Sequence, residues 1–414
     1  MTQQIFSHEF DNGMVLVAES MPYLESAAFA LVVPSGCSRD PANRLGLSNF
    51  TCEMLQRGCG ARDSHQFIED LELLGVDSSA SVSTVHCSFG GAMPAESLSE
   101  ALAIHADLVR RPHLPEDQLD DARLVCLQEV RAIEDDLPQK LMLELSALRY
   151  PDPWGRSSPG NIDSVESIQL DEIVRFFKNY YRPNGTILSV AGKIDWPQLR
   201  DRVAELFSDW QRREVAPIEE SNPDGTYLHV PHESSQTQIG VAYPSVPYSN
   251  DDFFQARGAV GVLSDGMSSR LFTEVREKRG LCYAVSASCH SLRDRGSVFC
   301  YAGTTTDRAQ ETLDVLLSEL RRLAEGVEAD ELDRLKNKIK SALIMQQESS
   351  TARSGAIAVD WYYLNRVRTR DELGAIIDGL TCDSINHYLA AHPPADFVVA
   401  TLGENPLEAS CGVS

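Results

Sequence analysis

The feature that most constrains this chain is an internal repeat. The segment Leu119-Asp120-Asp121-Ala122-Arg123, preceded by Pro115-Glu116-Asp117-Gln118, is echoed by Leu332-Asp333-Arg334-Leu335-Lys336, preceded by Glu328-Ala329-Asp330-Glu331. Further on, Asn179-Tyr180-Tyr181 leads into an apolar run ending at Gly192, and His387-Tyr388-Leu389 leads into one ending at Gly403. Both echoes are separated by about 210 residues, so the chain reads as one unit of that size used twice.

Each copy opens with strand-like text and continues into helices. Asn12-Gly13 is a hairpin dipeptide, and residues 14–17 and 27–33 are apolar runs of strand length. Residues 226–230 and 237–243 open the second copy in the same way. Residues 116–134 carry Leu119, Ala122, Val125, Cys126 and Val130 at helical spacing, and residues 329–348 form a second long helical stretch. This pattern predicts an α+β fold: two homologous α+β domains, each a mostly antiparallel sheet with packed helices. The expected division is an N-terminal domain over 1–213, a Pro- and Glu-rich linker over 214–225, a C-terminal domain over 226–404 and a loose tail over 405–414.

Charge narrows the function. With 61 acidic against 37 basic residues, the net charge is -24, which argues against nucleic acid as a partner. An acidic surface instead favours solubility or the attraction of basic peptides. No apolar run approaches the ~20 residues of a membrane span, and the first ten residues lack the basic and apolar regions of a signal peptide. The ten cysteines include no Cys-x-x-Cys pair, which suits free thiols in a reducing cytoplasm.

Three segments carry candidate chemistry. In residues 46–55, a helix would place Asn49 and Glu53 on one face with Cys52 beside them. That spacing suits metal ligands, but a neutral amide is a poor zinc ligand. In residues 268–283, Arg276 and Tyr283 stand seven apart; by themselves they read as a helix-surface arginine and a core aromatic at a strand start, although a guanidinium and a phenol could also donate hydrogen bonds to a developing oxyanion. Residues 76–83 are short-chained and strand-like, which suits either a plain solvent-facing strand or an edge open to an added peptide strand.

Together these segments resemble the pitrilysin/insulinase zinc metallopeptidases over nearly the whole chain. The family's zinc helix reads His-x-x-Glu-His within a Gly, Phe and Met frame. Here the frame is kept as Gly46, Phe50, Met54 and Leu55, while the two histidines are Asn49 and Glu53 and the general base is Cys52. At the family's spacing, the third ligand falls on Glu129, so Glu53 and Glu129 could face each other where zinc sits in active members. The resemblance implies that Arg276 and Tyr283 reach into an active site to bind substrate, and that Ser79 and Ala80 pair with a peptide. It implies no tightly bound metal here, with zinc in a motif-bearing homologous partner of a heterodimer. Alone, the chain would be inactive. A structural or peptide-binding homologue without catalysis is the other reading, and a homodimer the other assembly.

Overall fold

The computed structural model describes residues 3–409, so the last part of the expected tail, residues 410–414, lies outside the described residues. The strands are β1 Gln4–Glu9, β2 Val15–Ser20, β3 Ser26–Val33, β4 Gly58–Cys59, β5 Arg62–Asp63, β6 Asp77–Val82, β7 Cys87–Pro94 and β8 Ile187–Gly192 in the first half. The second half contributes β9 Tyr227–Pro231, β10 Gln236–Ser245, β11 Cys282–Ser291, β12 Gly296–Thr305 and β13 Val398–Gly403. The main sheets run β1-β2-β8-β3-β7-β6 and β11-β12-β10-β13-β9.

The two orders are the same layout with one addition. Reading β6-β7-β3-β8-β2 against β11-β12-β10-β13-β9, every pair is antiparallel except the last, β8 with β2 and β13 with β9, which is parallel in both. β1 is the addition, joined to β2 by the Asn12-Gly13 turn, in which the Phe10 amide donates to the Met14 carbonyl at 2.9 Å. The repeat seen in the sequence is therefore a repeat of sheet topology.

The compact units are not contiguous halves. The first contains residues 1–132, 156–220 and 344–369, and the second contains 133–155, 221–343 and 370–414. In the first unit, alternation along the strands buries two faces. Leu16, Ala18, Phe29, Leu31 and Val33 join the larger core beneath the helices Leu47–Leu55 and Leu98–Arg110. Val17 and Ile187 meet Ile357 and Trp361 of the helix Ser350–Leu364, which comes from the second half of the sequence. Arg353 of that helix reaches the buried Glu19 of β2 through Nε at 2.8 Å and Nη2 at 2.5 Å.

The second unit receives the reciprocal element. The helix Leu137–Arg149 packs on β10 and β13, and a Cβ at Gly240 would lie 3.0 Å from a Leu145 methyl, so glycine permits the close approach. Residues 214–220 and 222–225 carry no regular structure, while Ser221 forms an isolated bridge with Asp152. The described part of the tail is held: the Leu407 amide donates to the Tyr227 hydroxyl at 2.9 Å and the Glu408 amide to Gln310 Oε1 at 2.8 Å. No helix among the described residues is long and apolar enough to cross a membrane.

Candidate functional site

The helix Leu47–Leu55 shows why its frame survives. Gly46 caps it at φ 88°, a left-handed conformation, and a Cβ there would come within 2.5 Å of the Pro159 carbonyl oxygen. Phe50, Met54 and Leu55 are fully buried. The buried Asp40 accepts from the amides of Gly46 at 2.9 Å and Ser48 at 2.8 Å, satisfying donors of the first helical turn. Burial outweighs those amides and pushes the Asp40 carboxyl up to about 7.

The exposed face of this helix closes on itself. Asn49 Nδ2 donates to Glu129 Oε2 at 2.6 Å. Glu53 accepts from Arg57 Nε at 3.2 Å and Nη2 at 2.6 Å, a bidentate pair on one carboxylate oxygen. Cys52 points inward, where a hydrogen bond to Cys87 and burial hold its thiol well above the usual range, so it offers no thiolate. These residues do not fit zinc: one is a neutral donor, one is paired with a guanidinium and one is a buried thiol. Among the described residues, no group of three or more His, Cys, Asp and Glu side chains is placed to hold a metal ion. Arg57 escaped the sequence reading, although its i,i+4 spacing from Glu53 was a usable signal.

Arg276 and Tyr283 are brought together by two backbone irregularities. Residues Phe272–Glu277 form a π-helical turn, closed by the Lys278 amide donating to the Thr273 carbonyl at 2.9 Å. Tyr283 sits at the start of β11 in a β-bulge: Cys282 pairs with Thr304 and Ala284 with Gly303, leaving Tyr283 without a partner position. Tyr283 is consequently 84% exposed. The Arg276 guanidinium lies 4.7 Å from the Phe272 ring centroid and 5.1 Å from that of Tyr283, within cation–π range of both. Phe272, four residues before Arg276, was a second signal unread in the sequence.

Three acids around this turn are engaged elsewhere, while Glu277 within it is exposed. Glu274 pairs with Lys278 at 2.7 Å and Arg279 at 2.8 Å, Glu331 with Arg270 at 2.7 Å, and Glu319 with Arg322 at 3.0 Å. Among the described residues Arg276 makes no ion pair and no hydrogen bond, so its planar donors stay open while its faces are stacked.

β6 is an edge strand of the first sheet, paired only with β7. Ser79 lies opposite Gly90 and Ala80 opposite Phe89, with Ser79 exposed. Its outer side presents the row of backbone groups that a further strand requires.

Comparison with known proteins agrees with this architecture. Residues 15–156 match the family model for insulinase (peptidase family M16), and residues 167–339 match that for the peptidase M16 inactive domain. An uncharacterized zinc protease of Rickettsia bellii is 26% identical over 88% of this chain and 89% of its own length. One from Bacillus subtilis is 24% identical over 91% and 92%. The crystal structure of a peptidase M16 inactive domain from Pseudomonas fluorescens superposes with a TM-score of 0.87 at 20% identity, covering 99% of this chain and 100% of that one. A protease from Helicobacter pylori gives the same score at 19% identity, over 97% and 100%. The chain belongs to the pitrilysin/insulinase (M16) family of metallopeptidases, as a member whose zinc motif is degenerate.

Proposed function

We propose that this chain is the non-catalytic subunit of a heterodimeric zinc endopeptidase. A homologous partner bearing the intact motif would hold the zinc and the general base. This chain would supply Arg276 and Tyr283 in trans and bind the peptide substrate along β6, at Ser79 and Ala80. The observation that carries the reading is the open Arg276–Tyr283 pair, an exposed phenol and an arginine without an acidic partner in a chain of net charge -24. Arg276 would hold a substrate carbonyl, and Tyr283 would donate to the oxyanion as charge develops there. The closure of Asn49, Glu53 and Glu129 supports assigning the metal to the partner. Nine unpaired cysteines among the described residues support a reducing cytoplasm.

The test is reconstitution. The chain is co-expressed with a homologue carrying His-x-x-Glu-His, and peptide cleavage by the purified pair is compared with each chain alone. Activity only in the pair, lowered about tenfold to a thousandfold by Arg276→Ala or Tyr283→Phe, is the expected outcome. Full activity in both variants would leave a structural or peptide-binding role.

A further inference from the structure

The acidity of the chain is interrupted in the first unit. Around the end of the helix Leu170–Tyr180, Arg39, Lys178, Arg182, Arg212 and Arg213 converge. Arg213 donates to the Lys178 carbonyl, Arg182 Nη1 donates to the Arg213 carbonyl at 3.3 Å, and the Arg39 guanidinium lies 5.7 Å from the Tyr180 ring centroid. Elsewhere in this unit arginines meet carboxylates, as in Arg44–Glu172 and Arg62–Asp70. Here, among the described residues, one ion pair is formed, Arg212 with Glu214 at 3.3 Å.

The guanidiniums of Arg39, Arg182 and Arg213 instead donate to main-chain carbonyls, including Arg39 Nη1 to Ala216 at 2.8 Å. A carbonyl satisfies the direction of a donor without cancelling its charge. Arg182 Nε is buried without a partner. Burial lowers the pKa of both Arg39 and Arg182, and for Arg182 the neighbouring Arg39 and Arg212 add to the effect. The cluster therefore holds positive charge that Glu214, its ion-pair partner among the described residues, does not neutralise fully.

We propose that Arg39, Lys178, Arg182, Arg212 and Arg213 form a docking site for an acidic peptide segment. The cluster sits at the C-terminal end of a helix, where the backbone presents carbonyls, so it lacks the converging amides that hold a compact phosphate. Five cations spread over three chain segments match several carboxylates on a flexible chain. The field is local: at about 0.1 M ionic strength the Debye length is roughly 10 Å, which screens remote acids more than the cluster's own ligand. The proposal is independent of the role given to Arg276 and Tyr283.

The full chain is titrated into fluorescein-labelled octaglutamate, and anisotropy is followed at about 0.01 and 0.1 M ionic strength. Lys178 and Arg212 are exposed, and neither side chain donates to the main chain, so Lys178→Glu with Arg212→Glu reverses the charge with little structural cost. Binding should weaken at least about tenfold in this double variant and fall with salt, while Arg276→Ala with Tyr283→Phe leaves it unchanged. No binding by the unaltered chain, or equal binding by the charge-reversed one, would overturn the proposal. So would binding of octalysine as tight as octaglutamate, displacement by equimolar inorganic phosphate, or tighter binding of an oligothymidylate of equal length.

Discussion

The helix Leu47–Leu55 and the turn Phe272–Glu277 handle polar groups in opposite ways. On the first, Asn49, Glu53 and Glu129 are each satisfied by a neighbour within the same unit. On the second, Arg276 is stacked but unpaired and Tyr283 faces solvent. A group whose partner lies within its own unit contributes to stability; a group held open contributes little until something arrives. The two regions thus differ in what a substitution should cost, and that difference is measurable.

The comparison is broken or sharpened first by the strongest closed pair. Arg353→Ala leaves Glu19 buried without its charge partner and should destabilise the chain by about 3–5 kcal/mol in urea unfolding. A loss under 1 kcal/mol would contradict the closed description of the first unit. Next, Asp40→Ala removes the acceptor for two amides at the start of the Leu47–Leu55 helix and should cost about 1–2 kcal/mol.

Asp40 also gives a pH test with a defined sign. Its carboxyl is raised to about 7 in the folded chain, so the protonated form is the one the fold favours. The stability it contributes is fully present below the unfolded value near 4 and is lost as pH rises through about 7. Relative to Asp40→Asn, the unaltered chain should therefore lose stability between about pH 4 and 7 and change little above that, read from paired unfolding midpoints.

Smaller effects follow. Arg57→Ala breaks a partly exposed i,i+4 pair and should cost roughly 0.3–1 kcal/mol, less at high salt. At the open site, Arg276→Ala and Tyr283→Phe should each stay within about 0.5 kcal/mol of the unaltered chain. If either cost as much as Arg353→Ala, the open site would be structural and the contrast would fail.

The sequence disclosed some of this and concealed the rest for physical reasons. The duplication was legible because two echoes share an offset, and the sheets repeat the same order and pairing directions. Gly46, Phe50, Met54 and Leu55 were legible because packing and a left-handed φ demand particular residues. The Arg57 capture of Glu53 was only half legible, since spacing allows a contact without choosing the rotamer. The bulge at Tyr283 and the π-turn at Phe272 were not legible, because one unpaired residue leaves no periodic trace. The cluster around Arg182 draws on residues far apart in the chain, which only the fold assembles.

The exchanged helices carry a consequence for how such a chain can diverge. Were the duplication two beads on a string, its halves could separate into independent proteins. Here the first half, made alone, would lack Ser350–Leu364 and present Val17 and Ile187 to water, and the second would lack Leu137–Arg149 over β10. Each copy is the other's chaperone. Specialisation of one copy therefore has to proceed while both remain in one polypeptide, with the polar face of the helix Leu47–Leu55 free to change but not its place.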